Sequence, residues 1–387
     1  MTRSDVGAVP AAGGGPFPPV GRLVPPASRR EDLVTLLLAT CLIGGALADG
    51  WAHTNVIETI EGFFTPWHGL LYAGFTGTAA WTFWLAYRRR AHAPRWWRDG
   101  WPAGYRVGAL GVVVFAAAAL ADLTWHETLG VEVGLDASFS PSHLLLDGGA
   151  LLLVTSPLRS WWHTGEGGLR TVTGIGAATL GAMTPTILLS HSSALLGTAP
   201  THPVGPPAEQ QAALLGVDAY LVTTVLLVVP FLLLHRRRAA PGAGTAVVAG
   251  VALFTLGMYE FPASQTVAAV GAVGGAAVAD GVLHRLDAVR GRAAALRLPL
   301  AGATFTGLVW SGHLVGLALA DGVRWTPEVA TGTVTLSAIV GAVLGGLAAR
   351  PAAPAPDPGP RPAVPGPAGA ADDRGDRYPT ADRRAAR

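Results

Sequence analysis

An aspartate and two histidines recur in a fixed order at two places in this chain. In the stretch ALADLTWHETLGVEVGLDASFSPSHLLL, residues 119–146, Asp122 and His126 stand four residues apart, and His143 follows a short loop. In ALADGWAHTNVIETIEGFFTPWHGLL, residues 46–71, Asp49, His53 and His68 follow the same order. Both copies read A-L-A-D-x3-H and then F-[TS]-P-x-H-x-L-L. The Asp and the first His are offset by 73 residues between copies, the second His by 75. Asp and His at i and i+4 share one helical face. One carboxylate and two imidazoles meeting at one depth make a three-ligand metal site with room for water or substrate, a donor set open to copper, iron and zinc. Polar groups at helix ends also cap and snorkel. Capping does not account for D-x3-H, kept twice in the same order.

These residues need helices to hold them. Thr65 and Ser140 suit N-caps, and Pro66 and Pro141 suit the first helical position. His68 and His143 then fall in the first turn of a helix that folds back on the one carrying Asp and His. Half of the 387 residues are hydrophobic and 13% are charged. Apolar runs of about 20 residues, long enough to cross a bilayer, are predicted at 33–53, 66–87, 104–126, 141–158, 171–193, 211–235, 243–260, 264–283, 298–320 and 328–349. The runs are continuous rather than alternating, which excludes a barrel. The expected fold is an all-α polytopic membrane bundle of about ten transmembrane helices, with spans 1–2 and 3–4 forming a repeated hairpin. Its parts are a disordered arm (1–32), two metal-motif hairpins (33–158), six further spans (159–349) and a disordered Pro/Ala-rich tail (350–387).

All 27 basic residues are arginine, which fits a compositional bias better than any nucleic-acid role. With about ten spans, the arginine-rich loops fall on one side and only Arg324 on the other. The positive-inside rule then makes both termini cytoplasmic in a multi-pass plasma-membrane protein. The metal motifs sit at the outer face. The lone Cys41 leaves no disulfide framework.

Further residues carry weaker signals. Asp147 follows His143 by four positions and could orient it from outside the ligand set. His313, flanked by glycine in span 9, reads as a hydrogen-bonding partner for a neighbouring helix, with a supporting role at the metal as the alternative. Glu58, Glu61, Glu127, Glu132 and Asp136 make the outer loops acidic, either for solvation or as a funnel for cations. His191, His202, Met258 and Glu260 lie near the same face. A third D-x3-H, Asp280 and His284, lies beside arginines with no P-x-H after it and reads as interfacial. The stretch GAVGGAAVADG reads as a small-residue helix-packing face.

The second copy, D-L-T-W-H followed by F-S-P-S-H, resembles the membrane copper (C) subunit of the particulate methane and ammonia monooxygenases. That family carries D-x-x-W-H, a short loop, and F-T-P-S-H opening the next helix. The resemblance implies copper held by Asp122, His126 and His143, with Trp125 and the Phe139–Ser142 run forming the surrounding motif. The first copy has Ala52 in place of the Trp and Trp67 in place of the Ser. The match covers about 25 residues, doubled, and the loop between the two histidines is longer here than in the family.

The chain therefore reads as a membrane copper protein, related to or part of a copper oxygenase, with copper-dependent oxidoreductase chemistry if it is an enzyme. Its expected partners are the bilayer and other membrane or soluble copper-protein subunits. The alternative is a non-catalytic protein that stores, senses, delivers or transports copper. The near absence of ionisable residues through the central spans counts against transport.

Overall fold

In lipid, an apolar run must satisfy its backbone polar groups internally, and a helix does this within one segment. The computed structural model describes residues 24–56, 63–130, 132, 134–165, 167–286 and 296–349. Their regular elements are all helical, with no strand among the described residues. The expected arm up to residue 23, the tail from 350, and Glu58 and Glu61 lie outside the described residues.

The helices run in order: α1 (Arg29–Asn55), α2 (Pro66–Tyr87), the short α3 (Trp96–Asp99), α4 (Arg106–Leu129), α5 (Leu135–Phe139), α6 (Pro141–Val154), α7 (Ser156–Thr164), α8 (Leu169–Met183), α9 (Pro207–Arg236), α10 (Ala243–Met258), α11 (Ala263–Leu286), α12 (Arg297–Ala320) and α13 (Pro327–Ala349). Six of them are long and apolar enough to cross a membrane: α1, α4, α9, α11, α12 and α13. They expose large aliphatic side chains outward, among them Leu37, Val113, Leu120, Val270 and Val343, as a surface facing hydrocarbon requires. Span 2 is the unbroken 22-residue α2, at the predicted bounds though not among the six, and the three remaining predicted spans take other forms. Span 4 breaks at Thr155 into α6 and α7. Span 5 is the 15-residue α8 followed by 3₁₀ turns. Span 7 is the 16-residue α10.

Glycine sets how closely the helices approach. A Cβ on Gly74 of α2 would stand 2.6 Å from the Leu42 Cα of α1, and one on Gly149 of α6 would stand 2.7 Å from the Phe115 backbone nitrogen of α4. Both hairpins therefore close backbone to backbone. The predicted small-residue face on α11 works in the same way. Gly271 and Gly275 meet the α12 backbone around Gly312 and Leu308, a small-xxx-small contact that lets van der Waals packing hold the pair.

Buried charge ties the Arg29 end of the first helices together. Asp32 is fully buried and accepts from Tyr105 Oη at 2.8 Å and Ser160 Oγ at 3.1 Å, with the Arg170 guanidinium at 3.4 Å. Glu31 pairs with Arg89 at 2.8 Å and Arg88 at 3.0 Å, and Arg89 also donates to the carbonyls of Pro25 and Pro26. Residues 24–28 are thus held against the bundle, and α1 begins at Arg29, four residues before the predicted span. Asp32 and Asp49 are about 25 Å apart along α1, at 1.5 Å per residue. The polar clamp therefore anchors the end remote from the metal motif.

Asp280 has a structural partner. Its carboxylate accepts from Thr245 N at 2.8 Å, Thr245 Oγ1 at 2.7 Å and Gly244 N at 3.3 Å. A side chain of α11 thereby caps the first turn of α10, which has no capping side chain of its own. Asp280→Ala is expected to lower stability by about 1 kcal/mol, the usual worth of an N-cap. Thermal melting in detergent followed by circular dichroism would register this, and an unchanged midpoint would deny the cap.

Candidate metal centre

Each hairpin builds its cluster with the same local chemistry. Thr65 Oγ1 accepts from His68 N at 3.1 Å, with Pro66 next in the chain. Ser140 Oγ accepts from His143 N at 3.3 Å, with Pro141 next. These caps place each histidine in the first turn, its ring turned toward the end of the preceding helix. There His68 Nε2 stands 3.4 Å from Asp49 Oδ1, and His143 Nε2 stands 3.2 Å from Asp122 Oδ1.

The other nitrogen of each ring explains this orientation. His143 Nδ1 lies 2.7 Å from the Ala137 carbonyl, and His68 Nδ1 meets the Phe63 carbonyl. A carbonyl only accepts, so Nδ1 carries the proton and the neutral ring presents its lone pair at Nε2. That lone pair faces a carboxylate oxygen. Two acceptors so close need a cation between them, either a second ring proton or a metal ion. Asp49 Oδ1 and Asp122 Oδ1 are both buried without a hydrogen-bond partner. A backbone carbonyl that fixes the tautomer of a histidine is the usual outer support of a metal ligand.

The second cluster has a fourth member. His126 is buried, and neither of its ring nitrogens has a hydrogen-bond partner. Its Nε2 lies 3.7 Å from Asp122 Oδ1 and 3.6 Å from Glu132 Oε2. Both separations are too long for hydrogen bonds. They match the spacing of donors around one ion, since ligands about 2.1 Å from a tetrahedral metal stand roughly 3.4 Å from each other. Both Glu132 oxygens are buried without hydrogen-bond partners as well. One ligand atom from each of Asp122, His126, Glu132 and His143 falls within 4.8 Å of all the others, and the same holds for Asp49, His53 and His68. These Asp/His groups could hold a metal ion: the donors are of the right kind, buried or half-buried, and several of their atoms are short of other partners.

Sequence spacing read Glu132 only as part of an acidic outer loop. The available signal was its place inside the short loop that joins two expected ligands. Asp147 lines the same cavity and buries an Oδ1 with no hydrogen-bond partner. Trp125 is half-buried on α4 and is not among the cavity-lining residues. His313 stands apart from both clusters. It is buried between α9 and α12, with Nδ1 2.8 Å from Tyr220 Oη and its ring against Trp310, which is the helix-bonding role. His191 and His202 are exposed. Met258 is buried and lines the cavity.

That cavity has a volume of about 190 Å³. Asp49, His53, His68, Asp122, Glu132 and His143 line one part, and Leu42, Ile43, Leu71, Phe115, Leu146 and Met258 line another. Charged donors thus meet an apolar chamber large enough for a small guest. Comparison with family models, with curated proteins and with solved structures finds no match.

Proposed function

We propose that this chain is a membrane copper protein whose two related hairpins carry metal sites at the outer face, acting as a copper-dependent oxidoreductase or a subunit of one. The observation that carries this reading is the Asp122–His126–Glu132–His143 cluster, whose donors are spaced as ligands and in which Asp122 Oδ1, both His126 nitrogens and both Glu132 oxygens are buried without hydrogen-bond partners. Copper, rather than zinc or iron, follows from the motif's resemblance to the copper subunit of the membrane monooxygenases and from the preference of imidazole-rich sites for copper among divalent ions. When bound, copper supplies one-electron chemistry. The chain's own part is to hold the ligand rings in one tautomer and to offer the apolar chamber beside them to a small, weakly polar substrate. Met258 on the chamber wall favours a second reading, storage or delivery of copper, because a thioether suits the reduced ion.

Descent of the two hairpins from one unit is supported by their packing. Leu42 meets Gly74 as Phe115 meets Gly149, at the offsets of 73 and 75 residues that relate the ligands. A crossing of about ten spans is reached if α2, α6 with α7, α8 and α10 cross alongside the six longer helices, and the arginine asymmetry then makes both termini cytoplasmic.

Purified full-length protein, loaded with copper and washed in detergent, is expected to retain the metal, and to lose it when Asp49, His53, His68, Asp122, His126 and His143 are all replaced. His163→Ala, in α7, is expected to leave the amount of bound copper unchanged. Retention no greater than that of the six-residue variant would end the metal reading. Orientation is tested separately in a Cys41→Ala background. Asp136→Cys is expected to react with an impermeant thiol reagent in intact cells, and Ala240→Cys to be protected. The reverse pattern would invert the topology.

A further inference from the structure

The two clusters are neighbours across a single partition. The His68 and His126 rings have their centroids 5.8 Å apart, closer than the 6.2 Å between His126 and its own partner His143. Phe63 packs on both, 5.0 Å from His68 and 5.8 Å from His126. Tyr72, one turn after His68 on α2, reaches the other hairpin and donates to Asp122 Oδ2 at 3.5 Å. Asp49, His53 and His68 line the same cavity as Asp122, Glu132 and His143.

From this arrangement we infer that the two motifs form one two-ion centre, in which ions held by Asp49–His53–His68 and by Asp122–His126–Glu132–His143 lie close enough to sense each other. The inference rests on the metal reading above and adds to it that the sites act as a pair. The three carboxylates of the two clusters, Asp49, Asp122 and Glu132, offset the charge of two cations at short range. Four imidazoles supply the remaining donors without adding charge. Unpartnered buried atoms occur in both halves: Asp49 Oδ1 and His53 Nδ1 in one, and both His126 nitrogens and both Glu132 oxygens in the other. Neither half is satisfied by filling the other. A pair of ions beside an apolar chamber would let a small guest meet two metals at once, or let electrons pass between them.

Two like charges at this range repel, so the second ion is expected to bind at least about tenfold more weakly than the first. The probe is Cu(II) itself, titrated into the full-length protein in detergent and followed by electron paramagnetic resonance. One equivalent is expected to give the signal of an isolated ion. The second equivalent is expected to broaden that signal and to yield less than twice its intensity, through coupling between the spins. His53→Gln should hold one ion and give only the uncoupled signal, and Glu132→Gln should weaken one binding step while leaving the other. Two ions with simply additive, unbroadened spectra would overturn the pairing while leaving the metal sites standing. So would a single ion lost on substitution in either cluster, which would mean one shared site. Failure of the wild type to bind Cu(II) at all would instead overturn the metal reading and this inference together.

Discussion

Asp122→Ala is expected to lower metal affinity at the second cluster more than about 100-fold. The loss should exceed that for groups that merely support a metal ligand, which cost 10- to 100-fold. Asp122 is the hub of the cluster, 3.2 Å from His143 Nε2 and 3.7 Å from His126 Nε2, and it also accepts from Tyr72. Removing it leaves two imidazoles and Glu132 with no common anionic partner. Asp122→Asn keeps the shape and the bond to Tyr72 but removes the charge, and it should fall between wild type and Ala. Competition against a chelator of known strength reads both values, and circular dichroism checks that the helices persist. Affinity equal to wild type in the Ala variant would show that the carboxylate is not a ligand. Acid should release the ion from the wild type as well, since imidazole binds metal only when neutral.

Gly149→Val is expected to destabilise the second hairpin by on the order of 3 kcal/mol, the upper range for overpacking where the neighbour cannot yield. The new Cβ would meet the Phe115 backbone nitrogen at 2.7 Å and its Cα at 2.9 Å, and a helix backbone does not give way as a side chain tip does. To relieve the contact, α4 and α6 must part, which separates Asp122 and His126 from His143. Metal retention should therefore fall together with the melting temperature. Gly148→Val is the internal control, because a Cβ at Gly148 meets nothing within 4 Å. It should melt at least as high as wild type, valine being the better helix former of the two. Equal melting of the two variants would show that the hairpin is not closed by backbone contact at Gly149.

The candidate metal centre was partly legible in the chain because much of it is local. Asp at i and His at i+4 share a helical face wherever the helix goes. A Thr or Ser cap before Pro places the following histidine in the first turn, and both caps are formed. The membrane-like helical character was equally legible, since hydropathy over about 20 residues is a property of the segment alone. Less local features were not readable in this way. The fourth apolar run divides at Thr155 into two helices, because Pro157 in the first turn of α7 cannot continue the hydrogen bonding of α6, a signal that a hydropathy reading passes over. Asp280 and His284 repeat the metal spacing, yet Asp280 caps α10, because α11 happens to present it to that helix end. His313 could have served the metal or a neighbouring helix, and the position of Tyr220, 93 residues away, decided for the helix.

By itself, then, the sequence determined the helical, membrane-like character, the shared face of Asp and His in each motif and the caps that place the second histidines, because each depends on contacts within a few residues. Only the tertiary structure brought Glu132 to His126, turned Tyr72 of one hairpin onto Asp122 of the other, and stood His68 beside His126. Those contacts depend on how the hairpins cross. Glycines close each hairpin on itself, while side chains such as Phe75 of α2, stacked on Phe115 of α4 at 4.2 Å, meet between the hairpins, and spacing along a single chain segment carries no record of which helix lies on the other side.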